Sequence, residues 1–215
     1  MKHLTFHFDV VSPYAYLAFE ALPQVLEGCS YVVDLQPVLF AGLLQRWGQK
    51  GPAEIEPKRA WTFRQVAWAA RAQGTPIDVP TPHPFNPLAL LRLALASAPA
   101  GGLPNRRVVE LLMHHAWRGG GADPNEPTRL QRLRDAVAPV RDPDGAEVKA
   151  ELRAATEAAA DAGLFGVPTV EVDGRLFWGL DALPMLAAYL RGDPWFDGPD
   201  WDEAGRPRAG VVRRS

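Results

Sequence analysis

Leu4-Thr5-Phe6-His7-Phe8-Asp9-Val10-Val11-Ser12-Pro13-Tyr14-Ala15-Tyr16 is the stretch that decides the fold. Leu4, Phe6 and Phe8 alternate with Thr5 and His7, the period-2 pattern of a strand, whereas the segment after Pro13 is rich in alanine, leucine and aromatics without that alternation. A strand therefore ends, and a helix begins, at Ser12-Pro13. Serine is a strong helix N-cap, and proline suits the first helical position because the amide it lacks would be unpaired there. A hydroxyl at this junction stands among unpaired backbone N–H groups at the positive end of a helix dipole, a setting that favours an anion such as a thiolate. Read locally, Ser12 is a helix cap; a chemical role has to be supported from elsewhere in the chain.

Working outward, residues 13–27 read as a helix stopped by Gly28, with Pro23 predicting a bend or an early end. Tyr31 to Val38 is β-branched and flanked by turn residues, so it reads as a second strand, completing a right-handed βαβ unit. From residue 40 to about 135 the pattern changes to helices broken by proline and glycine, with spans expected at 58–73, 87–97, 105–117 and 127–137. Between the first two lies the proline-dense stretch from Gly74 to Pro84, too constrained for regular structure and better suited to a fixed wall than to a swinging lid. Residues 145–163 form an alanine-rich helix, and Thr169–Val172 and Leu176–Trp178 flank Asp173-Gly174, a strong hairpin signal. A last helix from Asp181 to Tyr189 precedes a tail, Gly192 to Ser215, whose Trp195, Phe196 and Trp201 are expected to anchor it partly to the surface.

Composition narrows the function. With 215 residues, 47% hydrophobic and 22% charged, the chain has the make-up of an ordinary globular protein with a sizeable core. A net charge of -2 with dispersed lysines and arginines gives no footprint for nucleic acid or an anionic membrane surface. Cys29 is the single cysteine, read as a small half-buried residue at a helix–strand turn, so neither an internal disulfide nor a Cys-x-x-Cys pair is available. His83 and the pair His114-His115 have no carboxylate or cysteine at metal-ligand spacing, and no metal is expected. No apolar run approaches the roughly 20 residues of a membrane span, and the N-terminus lacks a signal-peptide core, so a cytoplasmic location is expected.

The order β-α-β, helical insertion, α-β-β-α describes an α/β, thioredoxin-like fold: a mixed sheet interrupted by a helical insertion domain. Residues 1–39 and 140–192 would form the thioredoxin-like domain, 40–139 the insertion and 193–215 a C-terminal tail. Ser12-Pro13-Tyr14-Ala15 falls where thiol–disulfide oxidoreductases carry Cys-x-x-Cys, and Gly166-Val167-Pro168-Thr169 falls where thioredoxin-like proteins carry a cis-proline. With Pro57-Lys58-Arg59 and Phe177-Trp178-Gly179-Leu180-Asp181, these segments resemble the 2-hydroxychromene-2-carboxylate isomerase family, in the kappa-class glutathione transferase group.

That resemblance implies glutathione as cofactor, held as a thiolate by the hydroxyl of Ser12. It implies main-chain pairing of the cysteinyl part by Val167 beside cis Pro168, and a grip on the γ-glutamyl end by Gly179, Leu180, Asp181 and Ala182. It places Lys58, Gln49 and Trp47 on the substrate side, against a small aromatic acid, and implies a homodimer. Trp61 and Trp68, like Trp47, are expected in the core or a domain interface, as tryptophans bury most of their area. Departures are visible: Ala182 stands where the family has Arg or Ser, Gln49 where it often has Asn, and Gln65 and Trp68 where it has Asp and Arg. The activity implied is glutathione-dependent isomerisation, with a kappa-type transferase or peroxidase and a non-catalytic thioredoxin-like module as alternatives. Ser12 and Ala15 at the two thiol positions count against thiol–disulfide exchange.

Overall fold

A computed structural model describes residues 1–206 of the protein. A four-stranded mixed sheet in the order β2-β1-β3-β4 forms its centre. Strand β1 (Lys2–Phe8) pairs in parallel with β2 (Tyr31–Pro37) and antiparallel with β3 (Thr169–Val172), which continues into β4 (Arg175–Trp178). The register sets Phe6 against Leu35 on one side and Val170 on the other, and Val170 against Phe177. Alternation then turns Leu4, Phe6, Phe8, Leu35, Val170 and Phe177 to one face, where all are buried. The β3–β4 turn has positive φ at Asp173 (50°) and Gly174 (73°), the geometry that an Asp-Gly pair favours.

Helix α1 (Pro13–Val25) buries Tyr16, Leu17, Phe19 and Leu22; the Phe19 ring lies 6.4 Å from Phe6 on this face, and the Tyr16 ring stacks 6.3 Å from Trp117. Pro23 is accommodated within it, and the helix ends at Val25, two residues short of the expected 27. The helical segment consists of α2 (Phe40–Arg46), α3 (Glu56–Gln73), α4 (Leu88–Ala96), α5 (Arg106–Trp117) and α6 (Pro127–Val137). Four of these match the sequence expectation to within about two residues. Helix α2, seven residues long and without a side-chain cap, carries no start signal of its own in the sequence. Tertiary bonds hold it instead: the Leu39 amide donates to Thr156 Oγ1 at 2.9 Å and the Phe40 amide to Asp9 Oδ2 at 2.8 Å.

Helix α7 (Ala146–Asp161) leads back to the sheet, and α8 (Leu183–Leu190) follows β4. The start of α8 corrects the expected one: Leu180–Ala182 form a separate 3-10 turn, and the α-helix begins only where Pro184 can occupy its first turn. In the tail, a 3-10 turn at Pro194–Phe196 and helix α9 (Pro199–Ala204) fold back on β4 and α8. Phe196 is buried, Trp201 packs 6.1 Å from the Phe177 ring, and only Trp195 stays exposed. Positions 207–215 of the tail lie outside the described residues. Among the described residues no helix is long and apolar enough to cross a membrane.

The tryptophan expectation is overturned. Trp47, Trp61 and Trp68 are 46%, 58% and 69% exposed. Helix α3 buries only Val66 and Ala70, and Trp61 and Trp68, seven residues apart, share the face turned away from that contact. The fully buried tryptophan is Trp117, at the end of α5.

Candidate functional site

A cleft of about 620 Å³ opens over the N-terminus of α1. Ser12 lies at its inner end, only 7% exposed, in an extended conformation (φ -89°, ψ 116°). Its Oγ accepts from the Ala15 amide at 3.2 Å, the expected N-cap bond, and donates to the Val167 carbonyl at 3.4 Å. Two motifs 155 residues apart thus meet through one hydroxyl. The Val167–Pro168 peptide is cis. Neither the Tyr14 nor the Val167 amide finds a protein acceptor among the described residues, and both residues line the cleft beside the Ser12 hydroxyl.

Asp9 is the functional candidate that sequence reading passed over. It is fully buried at the cleft floor, and its carboxyl clasps two segments, accepting from the Val11 amide at 3.0 Å and from the Phe40 amide at 2.8 Å. One acidic side chain therefore fixes both the turn that carries Ser12 and the start of α2. Burial pushes its pKa up to about 7, against the pull of the two amides. A carboxyl raised in the folded state stabilises the fold fully below its unfolded value near 3.8 and loses that contribution as pH rises towards 7. We expect the Asp9 carboxyl carbon, followed by NMR, to titrate with a midpoint near 7; a midpoint near 4 would show that the two amides outweigh burial.

Sequence spacing treated His83 as a structural or exposed residue, but it forms part of the cleft wall. Its Nε2–H donates to the Val11 carbonyl at 2.9 Å, which leaves the lone pair on Nδ1, an atom that is buried without a partner. The ring is wedged 5.0 Å from Phe63 and 5.6 Å from Trp117, and burial lowers its pKa, keeping it neutral. Arg59 donates to the His83 carbonyl at 2.8 Å and so ties the proline-dense loop to α3. The expected fixed wall is what this loop forms.

Lys58 and Gln49 line the cleft with Ser12 and Val167. Trp47 does not: its indole N–H donates to the Leu164 carbonyl at 2.8 Å and its ring lies on the outer surface. The aromatic residues of its lining include Phe63, Phe165 and Trp178, with the Phe165 and Trp178 rings 4.7 Å apart. Gly166 makes this shelf fit, since a Cβ there would sit 2.5 Å from Trp178 Nε1. Gly179 and the 3-10 turn it caps, Leu180–Ala182, lie outside the cleft lining, the turn packing against α1. Asp181 is nonetheless close enough to Tyr14 for its charge to add to burial in raising the phenol's pKa. The Tyr14 hydroxyl donates to Gln65 Oε1 at 3.3 Å across the cleft mouth.

These features define a thioredoxin-like protein whose helix-capping turn carries a hydroxyl where the redox members carry cysteines. The chain belongs to the DSBA-like thioredoxin domain family, whose pattern matches residues 3–191. It is 29% identical over 200 residues to the 2-hydroxychromene-2-carboxylate isomerase of Sphingobium xenophagum, spanning 88% of this chain and 98% of that protein. It is 28% identical over 215 residues to glutathione S-transferase kappa 2 of Caenorhabditis elegans, spanning 92% and 95%. A solved 2-hydroxychromene-2-carboxylate isomerase superposes with a TM-score of 0.76 at 19% identity, covering 91% of this chain and 97% of that one, a likeness of fold.

Proposed function

We propose that the protein is a glutathione-dependent isomerase acting on aromatic 2-oxo acids of the 2-hydroxychromene-2-carboxylate type. The observation that carries this reading is the contact between Ser12 and Val167 beneath unpaired amides, at the inner end of a cleft with aromatic walls. The residues present fit a thiolate. Ser12 Oγ already accepts one amide, which makes its own hydrogen a better donor, and its 3.4 Å bond to Val167 is long enough to be exchanged at little cost. The free Val167 amide can pair with an extended peptide backbone laid beside it.

Bound glutathione supplies a nucleophile that adds reversibly to an unsaturated bond, allows rotation and leaves unchanged, so no redox partner is consumed. The chain's part is positional and electrostatic. Ser12 and the start of α1 favour the charged form of the sulfur. Phe165, Trp178 and Phe63 offer flat apolar surface to an aromatic ring, and Lys58 offers a cation to the oxo-acid end, where negative charge develops. The kinship with glutathione S-transferase kappa 2 supports one alternative, a transferase that consumes the thiol in each turnover. Incubation with 2-hydroxychromene-2-carboxylate separates the two. We expect the ultraviolet spectrum to shift only with glutathione present and total free thiol to stay constant; stoichiometric thiol loss indicates the transferase, and a rate indifferent to glutathione overturns both.

A further inference from the structure

A second cavity lies behind α2, on the opposite side from the cleft. The two share that helix: Ala41 and Leu44 face the cleft, whereas Gly42, Gln45 and Arg46 face a groove of about 800 Å³ bordered by α4 and α7. Leu39, Leu88, Leu152 and Ala160 give the groove an apolar lining. Its charged groups are four basic side chains, Arg46, Arg92, Lys149 and Arg153, against two acidic ones, Glu157 and Asp161, a local excess opposite in sign to the whole chain's -2.

The basic groups are not equivalent. Arg46 is paired with Asp161 at 3.3 Å and is thereby neutralised at one end of the groove. At the other end Lys149 and Arg153, one turn apart on α7, have no ion-pair partner among the described residues. Like charges at this spacing disfavour the helix, and a bound anion relieves them. Arg92 faces them from α4: its side chain is only 23% exposed, its contact with Asp144 is stretched to 3.9 Å, and its Nε is buried without any partner. The Arg92 Nε, buried and unmatched, stands beside two exposed cations without partners and above an apolar floor, an arrangement that can take the charged end of an amphipathic anion.

We infer that this groove binds a small organic acid, a carboxylate carried on a flat apolar body, with the carboxylate between Arg92, Lys149 and Arg153. The site is separate from the Ser12 cleft and independent of the reaction assigned to it. Calorimetric titration with 2-naphthoate tests it on four forms of the full-length protein. Arg153→Glu and Arg92→Met should each weaken binding by about tenfold, the scale of one lost charge-assisted contact. Lys58→Glu alters only the cleft: it should weaken any naphthoate bound there and change the affinity of the groove less than twofold. Arg153 is exposed and Arg92 has no strong partner to lose, so both variants should keep the wild-type melting temperature. A crystal soaked with 6-bromo-2-naphthoate should place bromine between α4 and α7. No binding at millimolar ligand, affinity that follows Lys58 alone, or bromine only in the cleft overturns the assignment.

Discussion

Replacing Ser12 by alanine is expected to lower glutathione-dependent kcat/KM by about 10²–10³-fold, the scale of removing one preorganised donor from a developing or resident anion. The same substitution removes the N-cap bond from the Ala15 amide to Ser12 Oγ, at a cost of about 1 kcal/mol. In a chain of this size that lowers the melting temperature by only about 2–4 °C. The two effects can be separated by Ser12→Gly. Glycine is a tolerable N-cap and costs only a few tenths of a kcal/mol relative to serine, yet it has no hydroxyl. We therefore expect Ser12→Gly to melt close to the wild type and to be as inactive as Ser12→Ala. If instead activity followed melting temperature through the pair, Ser12 would be a cap and nothing more. The absorbance of glutathione thiolate near the protein provides a second readout: both variants should shift the thiolate titration to higher pH, because the hydroxyl that favours the charged sulfur is gone.

The fold was readable because its decisive signals are local. Alternation in Leu4, Phe6 and Phe8, the Ser12-Pro13 start, the Asp173-Gly174 turn and the proline-dense stretch each depend on a few neighbouring residues. Where sequence reading failed, the missing information was tertiary. Helix α2 has no cap of its own and depends on Thr156 and Asp9, which lie far from it in the chain. Asp9 itself looked like part of a strand end; what sets it apart is complete burial and two amide partners, one of them 31 residues away. Trp47, Trp61 and Trp68 illustrate the converse. Residue type argued for burial, but α3 touches the core along one narrow stripe that leaves Trp61 and Trp68 outside it, and Trp47, capping the end of α2, lies on the outer surface with its indole N–H bonded to the Leu164 carbonyl. Signals for two missed residues were present. An acidic side chain in an otherwise apolar run, as in Phe8-Asp9-Val10-Val11, has to find partners if it is buried. A histidine flanked by prolines, as in Pro82-His83-Pro84, is held by a stiff backbone that limits where its ring can go.

Trp117→Ala is expected to destabilise the protein by about 3–5 kcal/mol, the largest effect of a single truncation considered for this chain. The side chain is fully buried at the end of α5, stacked on Tyr16 with ring centroids 6.3 Å apart and planes 10° from parallel, and in contact with His83 at 5.6 Å. Its indole N–H donates to the Val10 carbonyl at 2.8 Å, two residues before Ser12. Removing the ring therefore opens a cavity where the insertion helix, the proline-dense loop and the Ser12 turn meet. A fall in melting temperature of about 10 °C follows from that loss. Trp117→Phe separates packing from positioning. It keeps an aromatic ring but leaves the Val10 carbonyl buried without a donor, at a cost of about 1–3 kcal/mol. At a temperature where this variant is fully folded, kcat should still fall several-fold, since an error of about 1 Å in a catalytic group is costly. The effect should be confined to wild-type Ser12: adding Trp117→Phe to Ser12→Gly should lower stability further without a further loss of turnover, because the group being positioned is already absent. Independent losses in the double variant would mean that Trp117 acts on the cleft by a route other than the Val10–Ser12 turn, with His83 as its other neighbour in the cleft wall.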